Sequence, residues 1–562
     1  MCGIWAYIQL YKGLELTPAD LYRDFMELQA RGPDSTVFQT IKNVTVGFHR
    51  LAIMDPTFHA NQPYIIEDGE RTIVFIGNGE IYNFKSLIAK HDLHVPNNSD
   101  CMTIPKLFIK YDSKFDKYNT SKFEELFLEE IKGEFAFVMM VFDRFQNLRR
   151  IVAGRDQIGI RPMYYTPEHK MSTAMVFSSE IKGINRMFQV SEFPPGVIMD
   201  IKVRDIVDVY GKTDIKHFSF KPEPCWSFRY DRDSLLSDVH NAVVNSVRRR
   251  LTADRPIAFL LSGGVDSSLV AAISARLLGT PIKTFCCGMS QGTDLLYARK
   301  VAEYIGSQHT EVMFTPEEGL AAIDDVIRTT ETWDTTTIRA SVGQYLVCKH
   351  IGTQTDAKVV MVGEGPDEVC SSYLFNYYAP TGIAMHKAAI DYVNEIHMYD
   401  GRRADRCISR WGLEGRVPLL DPEFISAYWN IPCEWRMPTY KGIEKWWLRQ
   451  AFSNGGVLPA DVLWRKKEAF SDGVSGKERS WYQMIQDHIE TLITDSEFAT
   501  APVSWGCSTK EQYYYKREFV RHFGELRLNV IHHYWQPKWS ADGVEVKAYI
   551  DPSARVLGAY LK

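Results

Sequence analysis

Cysteine is scarce in this chain. Ten cysteines are spread irregularly over 562 residues, with no Cys-x-x-Cys pair, and His-Glu-x-x-His does not occur. That pattern speaks against a disulfide scaffold and against a structural zinc site, and makes a reducing, cytoplasmic compartment the expectation. Long apolar runs are missing too: the run 135–142 is eight residues, against the ~20 that cross a bilayer. An excess of one charge is also lacking. Lys plus Arg number 65 and Asp plus Glu 70, a net −5, so neither nucleic acid nor an anionic membrane is an expected partner. Residues 1–5 have neither the basic start nor the apolar stretch of a secretory leader, and none is expected. Internal repeats and low-complexity tracts are absent. What remains is an average folded composition, 45% apolar and 24% charged, long enough for two to four domains at about 150 residues each.

The rhythm of the chain changes near residue 200. Before it, β-branched and aromatic runs at 44–48, 72–77, 134–143 and 150–153 read as strands, with helices at 21–29 and 121–131. The stretch 203–229 is mixed and contains Pro222 and Pro224, which sets the boundary there. Apolar residues at helical spacing follow over 234–251. Arg248, Arg249 and Arg250 end that helix as a solvated, dipole-favoured terminus. Strands at 257–261, 282–287, 311–314 and 358–362 then alternate with helices at 268–278, 295–305 and 317–328. Such alternation implies a doubly wound, mostly parallel sheet with ligands beyond the carboxyl ends of its strands. Beyond about 380 the chain reads as helical, with a loosely ordered polar tail expected after Tyr534. The expected domains are 2–205, a linker at 206–232, a second domain at 233–540 and a tail at 541–562.

Cys2 directly follows Met1. Removal of an initiator methionine before a small residue would leave thiol and α-amine on one residue. The amine (~7.7–8.0) could then take the proton of a thiol of pKa ~8.5. A second-position cysteine alone carries little weight. Behind it, however, come Arg31-Gly32-Pro33-Asp34, His49-Arg50-Leu51-Ala52-Ile53, Asn78-Gly79-Glu80-Ile81-Tyr82-Asn83, Ser99-Asp100 and Gly154-Arg155-Asp156. This ordered set resembles the class II glutamine amidotransferases, which have the αββα N-terminal-nucleophile hydrolase fold. The resemblance makes Cys2 the nucleophile and places Arg50, Leu51, Ala52, Ile53, Met54, Asn78, Gly79, Glu80 and Asp100 around L-glutamine. Arg50 suits the α-carboxylate, Asp100 and Glu80 the ammonium, and Asn78 with the Gly79 backbone the oxyanion hole. Asn-Gly is by itself also an ordinary hairpin turn. Where the family usually has Gly before Ser99-Asp100, this chain has Asn98, a residue that tolerates left-handed backbone.

Between the first strand of the parallel sheet and its helix lies Ser262-Gly263-Gly264-Val265-Asp266-Ser267-Ser268. Glycines let backbone approach phosphate, while hydroxyls, amides and the helix dipole favour its charge. No lysine follows, so this is not a Walker loop, and Gly211-Lys212-Thr213 fails as one because Ile206 stands where its first glycine must be. The pattern resembles the pyrophosphate loop of N-type ATP pyrophosphatases, which cleave between the α and β phosphates. Gly363-Glu364-Gly365-Pro366-Asp367-Glu368, Thr335-Thr336-Thr337-Ile338-Arg339-Ala340-Ser341 and Arg465-Lys466-Lys467-Glu468 extend the match. By resemblance Asp266 and Asp367 are Mg2+ ligands, and Lys467 and Arg339 neutralise the departing pyrophosphate. Leu260, Cys287, Val362 and Gly363 contact the nucleotide. Val362 and Pro366 replace serines common in the family.

Together the halves resemble the glutamine-hydrolysing asparagine synthetase family over nearly the whole chain. The segments 400–406 and 412–421 add to the match, with Asp400 and Arg403 implied at an L-aspartate site and Glu364 implied in the acyl-adenylate chemistry. The resemblance implies ATP as co-substrate, Mg2+ as cofactor and a homodimer. Three alternatives stay open: amidation of another carboxylate, a catalytically idle nucleotide-binding relative, and a glutaminase with a silent second domain. A β-lactam synthetase of this build is disfavoured, since that group lacks the N-terminal cysteine.

Overall fold

Period-two alternation in the first 200 residues builds two facing sheets. The computed structural model describes residues 1–10, 16–112, 121–167, 174–203, 214–219 (backbone only), 228–467, 473–475 and 479–553. Twelve strands belong to the first unit: β1 Gly3–Gln9, β2 Ser35–Ile41, β3 Val44–Arg50, β4 Tyr64–Asp68, β5 Arg71–Ile81, β6 Gly133–Asp143, β7 Leu148–Arg155, β8 Tyr164–Tyr165, β9 Ala174–Ser178, β10 Ser191–Glu192, β11 Val197–Lys202 and β12 Asp214–Ser219. They form two six-stranded sheets, ordered β10-β8-β9-β1-β3-β2 and β12-β11-β7-β6-β5-β4. Ile4, Ala6 and Ile8 of β1 pack in one core with Val74 and Ile76 of β5 and with Ala136, Val138 and Met140 of β6. Successive side chains point to opposite faces of a strand, so Trp5 and Phe137 turn outward. There Trp5 meets Phe25 of the helix Pro18–Met26 at 6.1 Å and Phe137 meets Phe127 of the helix Lys122–Glu129 at 5.8 Å. Helix, sheet, sheet, helix is the αββα layering. Burial on both faces also explains why 135–142 is continuously apolar rather than alternating.

In the second sheet β13 Ile257–Leu260, β14 Lys283–Gly288, β15 Gln308–Met313 and β16 Val359–Met361 run parallel, and the short strand β17 Glu414–Arg416 lies at the edge. Its order, β15-β14-β13-β16-β17, reverses direction between β13 and β16. A reversal of this kind leaves a crevice at the carboxyl ends of the two strands. The helices Arg232–Arg250, Val265–Leu278 and Thr293–Ile305 match the sequence expectation within a few residues. Two helices differ from it. The expected helix at 317–328 is broken into Pro316–Ala321 and Ile323–Thr330, because the amide of Ala322 tightens onto the carbonyls of both Glu318 and Gly319. A twenty-residue helix, Thr335–Gln354, runs through the motif at 335–341. Three successive threonines are poor helix formers, and the Asp334 carboxylate offsets this by accepting from Thr337 N at 2.8 Å.

By chain contacts, one unit comprises Met1–Pro222, Thr252–Arg255 and Gly412–Glu414, and the other Glu223–Leu251, Pro256–Trp411 and Gly415–Lys562. Much of the expected linker, including Gly211-Lys212-Thr213, lies outside the described residues. Of the expected solvated arginine terminus, Arg248 is exposed, whereas Arg249 and Arg250 are anchored. Arg250 is 3% exposed and pairs with Asp421 at 2.7 Å, and Arg249 pairs with Asp421 and Glu423. Nor is the chain after Tyr534 loose through residue 553, since Trp535 and Trp539 are buried and Asp551 is ion-paired. Among the described residues no helix is long and apolar enough to cross a membrane.

Candidate active sites

In the first unit the thiol sits at the start of β1. Cys2 Sγ donates to the Leu51 carbonyl at 3.7 Å, and the Cys2 carbonyl accepts from Arg31 Nε at 3.1 Å. Arg31 is itself fixed by Glu180 at 2.6 Å. Burial pushes the Cys2 thiol up, and lowers the α-ammonium of Met1 to about 5. The Met1 amine is therefore neutral near pH 7.

The motifs around the thiol divide into scaffold and open groups. Arg50 donates to the carbonyls of Thr57 (2.6 Å), Met54 (3.3 Å) and Asp55 and to Asn61 Oδ1 (2.7 Å), closing the loop that carries Leu51, Ala52, Ile53 and Met54. Asp34 accepts from Ala52 N at 2.8 Å and holds the same loop. Asp156 gathers the amides of Phe135, Ile158, Gly159, Ile160 and Arg161, which ties the end of β7 to β6. Asp100 accepts from Ile81 N at 2.6 Å, bringing it beside Glu80; both carboxylates are buried. Asn98 is exposed and has no positive φ, so the tolerance expected of asparagine is not called upon.

Asn78 differs from all of these. It is 1% exposed, and neither its Oδ1 nor its Nδ2 has a hydrogen-bond partner. Buried amides are normally paired, and leaving one open is costly. Its neighbour Gly79 has φ +150°, and a Cβ there would stand 2.1 Å from the Glu134 carbonyl oxygen. The pair is thus no hairpin turn: it lies within β5, opposite Ala136 and Phe135 of β6.

In the second unit the loop after β13 closes a pocket with residues following β16. Leu260, Ser262, Gly264, Val265, Asp266, Ser267, Cys287, Val362 and Gly363 line it. Two residues of the motif do not. Gly263 (φ +73°) packs against Tyr297, where a Cβ would meet the Tyr297 Cβ at 2.4 Å, and Ser268 is fully buried behind the loop. Ser267 Oγ accepts from Ser262 N at 3.1 Å and lies 3.0 Å from Ser262 Oγ, so these hydroxyls brace the turn.

Asp266 and Asp367 converge on one ammonium. Lys445 Nζ donates to Asp266 Oδ2 at 2.5 Å and to Asp367 Oδ1 at 2.6 Å, and Lys467 Nζ bonds Asp367 Oδ2. Burial opposes ionisation of Asp367, but Lys445 and Lys467 outweigh it and hold the carboxyl far below the usual range. Asp266 Oδ1 is buried without a partner. Two carboxylates already gathered about a cation, with one oxygen open, suit Mg2+, which completes its shell with waters and phosphate oxygens. Nothing in the motifs marks Lys445, a lone lysine between Glu444 and Trp446.

Across the same pocket Arg403 reaches Asp400 at 3.1 Å, Glu364 at 3.5 Å and Gln344 Oε1 at 3.3 Å. The helix Asp400–Ser409 separates its arginines by face. Arg403 lies one turn from Asp400 on the pocket side, whereas Arg402 donates to the Glu331 carbonyl at 2.8 Å and Arg406 pairs with Asp405 at 2.7 Å. Burial raises the Glu364 carboxyl above its ordinary value, while Arg403 pulls the other way. Arg465, Lys466, Gln344, Asp294 and Glu368 also line the pocket, unassigned from sequence. Glu468 lies outside the described residues.

Arg339 requires a correction. It is not among the residues lining the pocket. Its guanidinium forms a bidentate pair with Glu511 (2.8 and 2.6 Å) and a second with Asp551 (2.9 Å), so four of its five N–H donors are turned toward the carboxyl-terminal segment. A residue chosen by motif to meet pyrophosphate is, in this structure, a buried tie.

Two centres in one chain, a cysteine and an open buried amide in the sandwich unit and a serine–glycine loop whose Asp266 shares Lys445 with Asp367 in the other, define a glutamine amidotransferase joined to a nucleotide-dependent synthase. Comparison with known proteins makes the assignment particular. Residues 1–196 match the glutamine amidotransferase domain model, and residues 238–387 and 379–550 match the asparagine synthase model. Relatives similar to this chain include proteins named asparagine synthetase [glutamine-hydrolyzing] from Cricetulus griseus (36% identical), Gallus gallus (36%) and Homo sapiens (35%), each alignment covering 100% of this chain and 99% of the relative. Among solved structures, an NMN synthetase from Francisella tularensis overlaps 53% of this chain and 97% of its own, at 12% identity and a TM-score of 0.21, too small a likeness to bear on the fold. The chain belongs to the asparagine synthase family.

Removing the Arg339 guanidinium leaves buried Glu511 without its counter-charge, held by the Tyr515 hydroxyl and the Gln486 amide. Arg339→Ala is expected to cost about 3–5 kcal/mol, read as a shift in the denaturant unfolding of the nucleotide-binding unit.

Proposed function

We propose that this protein is a glutamine-dependent asparagine synthetase, converting ATP, L-aspartate, L-glutamine and water into AMP, diphosphate, L-asparagine and L-glutamate. The observation that carries the reading is the makeup of a single pocket. A serine–glycine loop, two carboxylates gathered on one cation and the Asp400–Arg403–Glu364 group all line it.

In the amidotransferase unit, loss of Met1 leaves Cys2 with its own amine. A free α-amine, with an ordinary pKa of ~7.7–8.0, can accept the thiol proton near neutral pH. The thiol proton passes to that amine, and Sγ attacks the γ-carbonyl carbon of glutamine. Asn78 Nδ2 and the Gly79 amide donate to the oxyanion, a role supported by the open amide of Asn78. Collapse expels ammonia carrying the transferred proton, and water cleaves the thioester to glutamate. The closed Arg50 loop, with Glu80 and Asp100, binds the α-carboxylate and ammonium of glutamine.

Aspartate must be activated, because a carboxylate resists nucleophiles. Its β-carboxylate oxygen attacks the α phosphorus of ATP, the Pα–O–Pβ bond breaks, and pyrophosphate leaves against Lys467. Asp266 and Asp367 would hold Mg2+, which when bound would neutralise charge on the phosphates. Arg403 and Asp400 match the carboxylate and ammonium of aspartate. Ammonia then attacks the acyl carbon of β-aspartyl-AMP, Glu364 accepts the surplus proton, and AMP departs. Its raised carboxyl pKa supports Glu364 as a base matched to that task. Ammonia kept inside the molecule avoids protonation in bulk water and keeps its lone pair. A homodimer and a cytoplasmic location complete the proposal. The nine cysteines among the described residues are all free thiols, which suits a reducing compartment.

Cys2→Ala is expected to abolish glutamine-supported synthesis and to leave ammonia-supported synthesis intact, with asparagine and pyrophosphate both measured; parallel loss of the two would refute the two-centre scheme. Pyrophosphate release indifferent to aspartate would sink the choice of acceptor. Asn78→Ala should lower glutaminase kcat by about 10²–10³. For Asp266→Ala, glutamine cleavage should persist while asparagine formation stops.

A further inference from the structure

Lys445 is placed with unusual care. It is 3% exposed, adopts a left-handed φ of +57°, and caps the short helix Trp446–Ala451. Side chains with a Cβ rarely take that conformation. Its neighbours impose it: buried Glu444 pairs with Arg449 at 2.6 Å, and Arg449 also donates to the Glu444 carbonyl at 2.8 Å and the Leu463 carbonyl at 2.6 Å. With residues 444 and 449 locked, the side chain between them is delivered into the pocket. There its ammonium is shared by Asp266 and Asp367, which would otherwise repel each other in a poorly solvated space.

The local charge is balanced before any ligand arrives. Six carboxylates and six cationic side chains line the pocket, and among them Lys445 and Lys467 face Asp266 and Asp367 while Arg403 faces Asp400 and Glu364. A divalent ion entering alone must displace the Lys445 ammonium from the carboxylate oxygens and leaves the pocket with surplus positive charge. A polyphosphate entering with the ion removes that surplus and offers the displaced ammonium new acceptors.

We propose that Lys445 is a resident counter-cation that holds Asp266 and Asp367 together in the metal-free protein and makes divalent-metal binding conditional on nucleotide. It is a positioning residue for the metal ligands. The inference rests on the reading of Asp266 and Asp367 as those ligands.

Mn2+ binding to the full-length protein, followed by electron paramagnetic resonance with and without α,β-methylene-ATP, tests it. Lys445→Gln should bind Mn2+ without nucleotide at least ~10-fold more tightly than wild type, since one adjacent charge changes the cation affinity of a carboxylate by roughly 10- to 1,000-fold. The enhancement by nucleotide should shrink by the same factor. Unchanged or weaker nucleotide-free binding overturns the inference. A variant that unfolds in chelator but regains native circular dichroism with Mn2+ supports it, because the ion then replaces the ammonium; failure to recover with Mn2+ overturns it. Asp266→Asn separates the two levels. If it weakens Mn2+ binding with the analogue while Lys445→Gln changes nothing, the counter-cation role alone is wrong. If it leaves Mn2+ binding untouched, the ligand reading falls and takes this inference with it.

Discussion

The nucleotide-binding unit is organised around a problem of charge. Asp266 and Asp367 must stand close enough to share a cation, in a pocket whose walls are largely protein. Like charges at short range in a poorly screened space repel strongly, so the fold supplies the compensating charge itself. Lys445 arrives from the turn before Trp446, and Lys467 from the segment after Leu463. The parallel sheet has a matching duty. Its reversal between β13 and β16 brings the serine–glycine loop beside residues 362–367, so the two aspartates come from opposite sides of one crevice. The close approach is steric as well as electrostatic: a Cβ on Gly363 would lie 2.6 Å from Ser267 N.

The amidotransferase unit answers a different constraint, that of leaving a polar group unsatisfied in a buried place. Arg50, Asp34, Asp100 and Asp156 each spend their hydrogen bonds on nearby backbone and so stiffen the surroundings of Cys2. Asn78 spends none among the bonds formed here. An unpaired buried amide is tolerated where the strands around it fix its position, and Asn78 is gripped by the long β5–β6 ladder. Preorganised donors of this sort need no reorientation when charge develops. The rigid motif residues and the open one therefore belong to a single arrangement.

Much of this was legible in the sequence because it depends on local pattern. Four sandwich strands, β3, β5, β6 and β7, and the strand–loop–helix at 257–278 follow from residue type and glycine placement, whereas the other eight strands of the sandwich were not read. What could not be read concerns partners distant in the chain. Lys445 meets Asp266 across 179 positions and Asp367 across 78, and no spacing rule links them. Arg339 shows the converse. Its motif is intact, yet the side chain is claimed by Glu511 and Asp551, 172 and 212 positions away. Arg250 misled for the same reason: a basic helix end looks solvated until Asp421, 171 residues on, is folded against it.

These cases share a physical cause. Periodicity records which face of an element is buried, but the destination of a buried charge is decided by whichever opposite charge the tertiary fold brings near. Arginine and lysine reach several ångströms from their backbone, so one sequence position is compatible with several destinations, and only desolvation selects among them. The selection is sharpest on the helix Asp400–Ser409. Arg402, Arg403 and Arg406 carry the same side chain within two turns, yet a rotation about the helix axis sends Arg403 to the pocket carboxylates and the other two to Glu331 and Asp405. Chemistry is assigned there by angular position, and the residue type serves structure and substrate equally well.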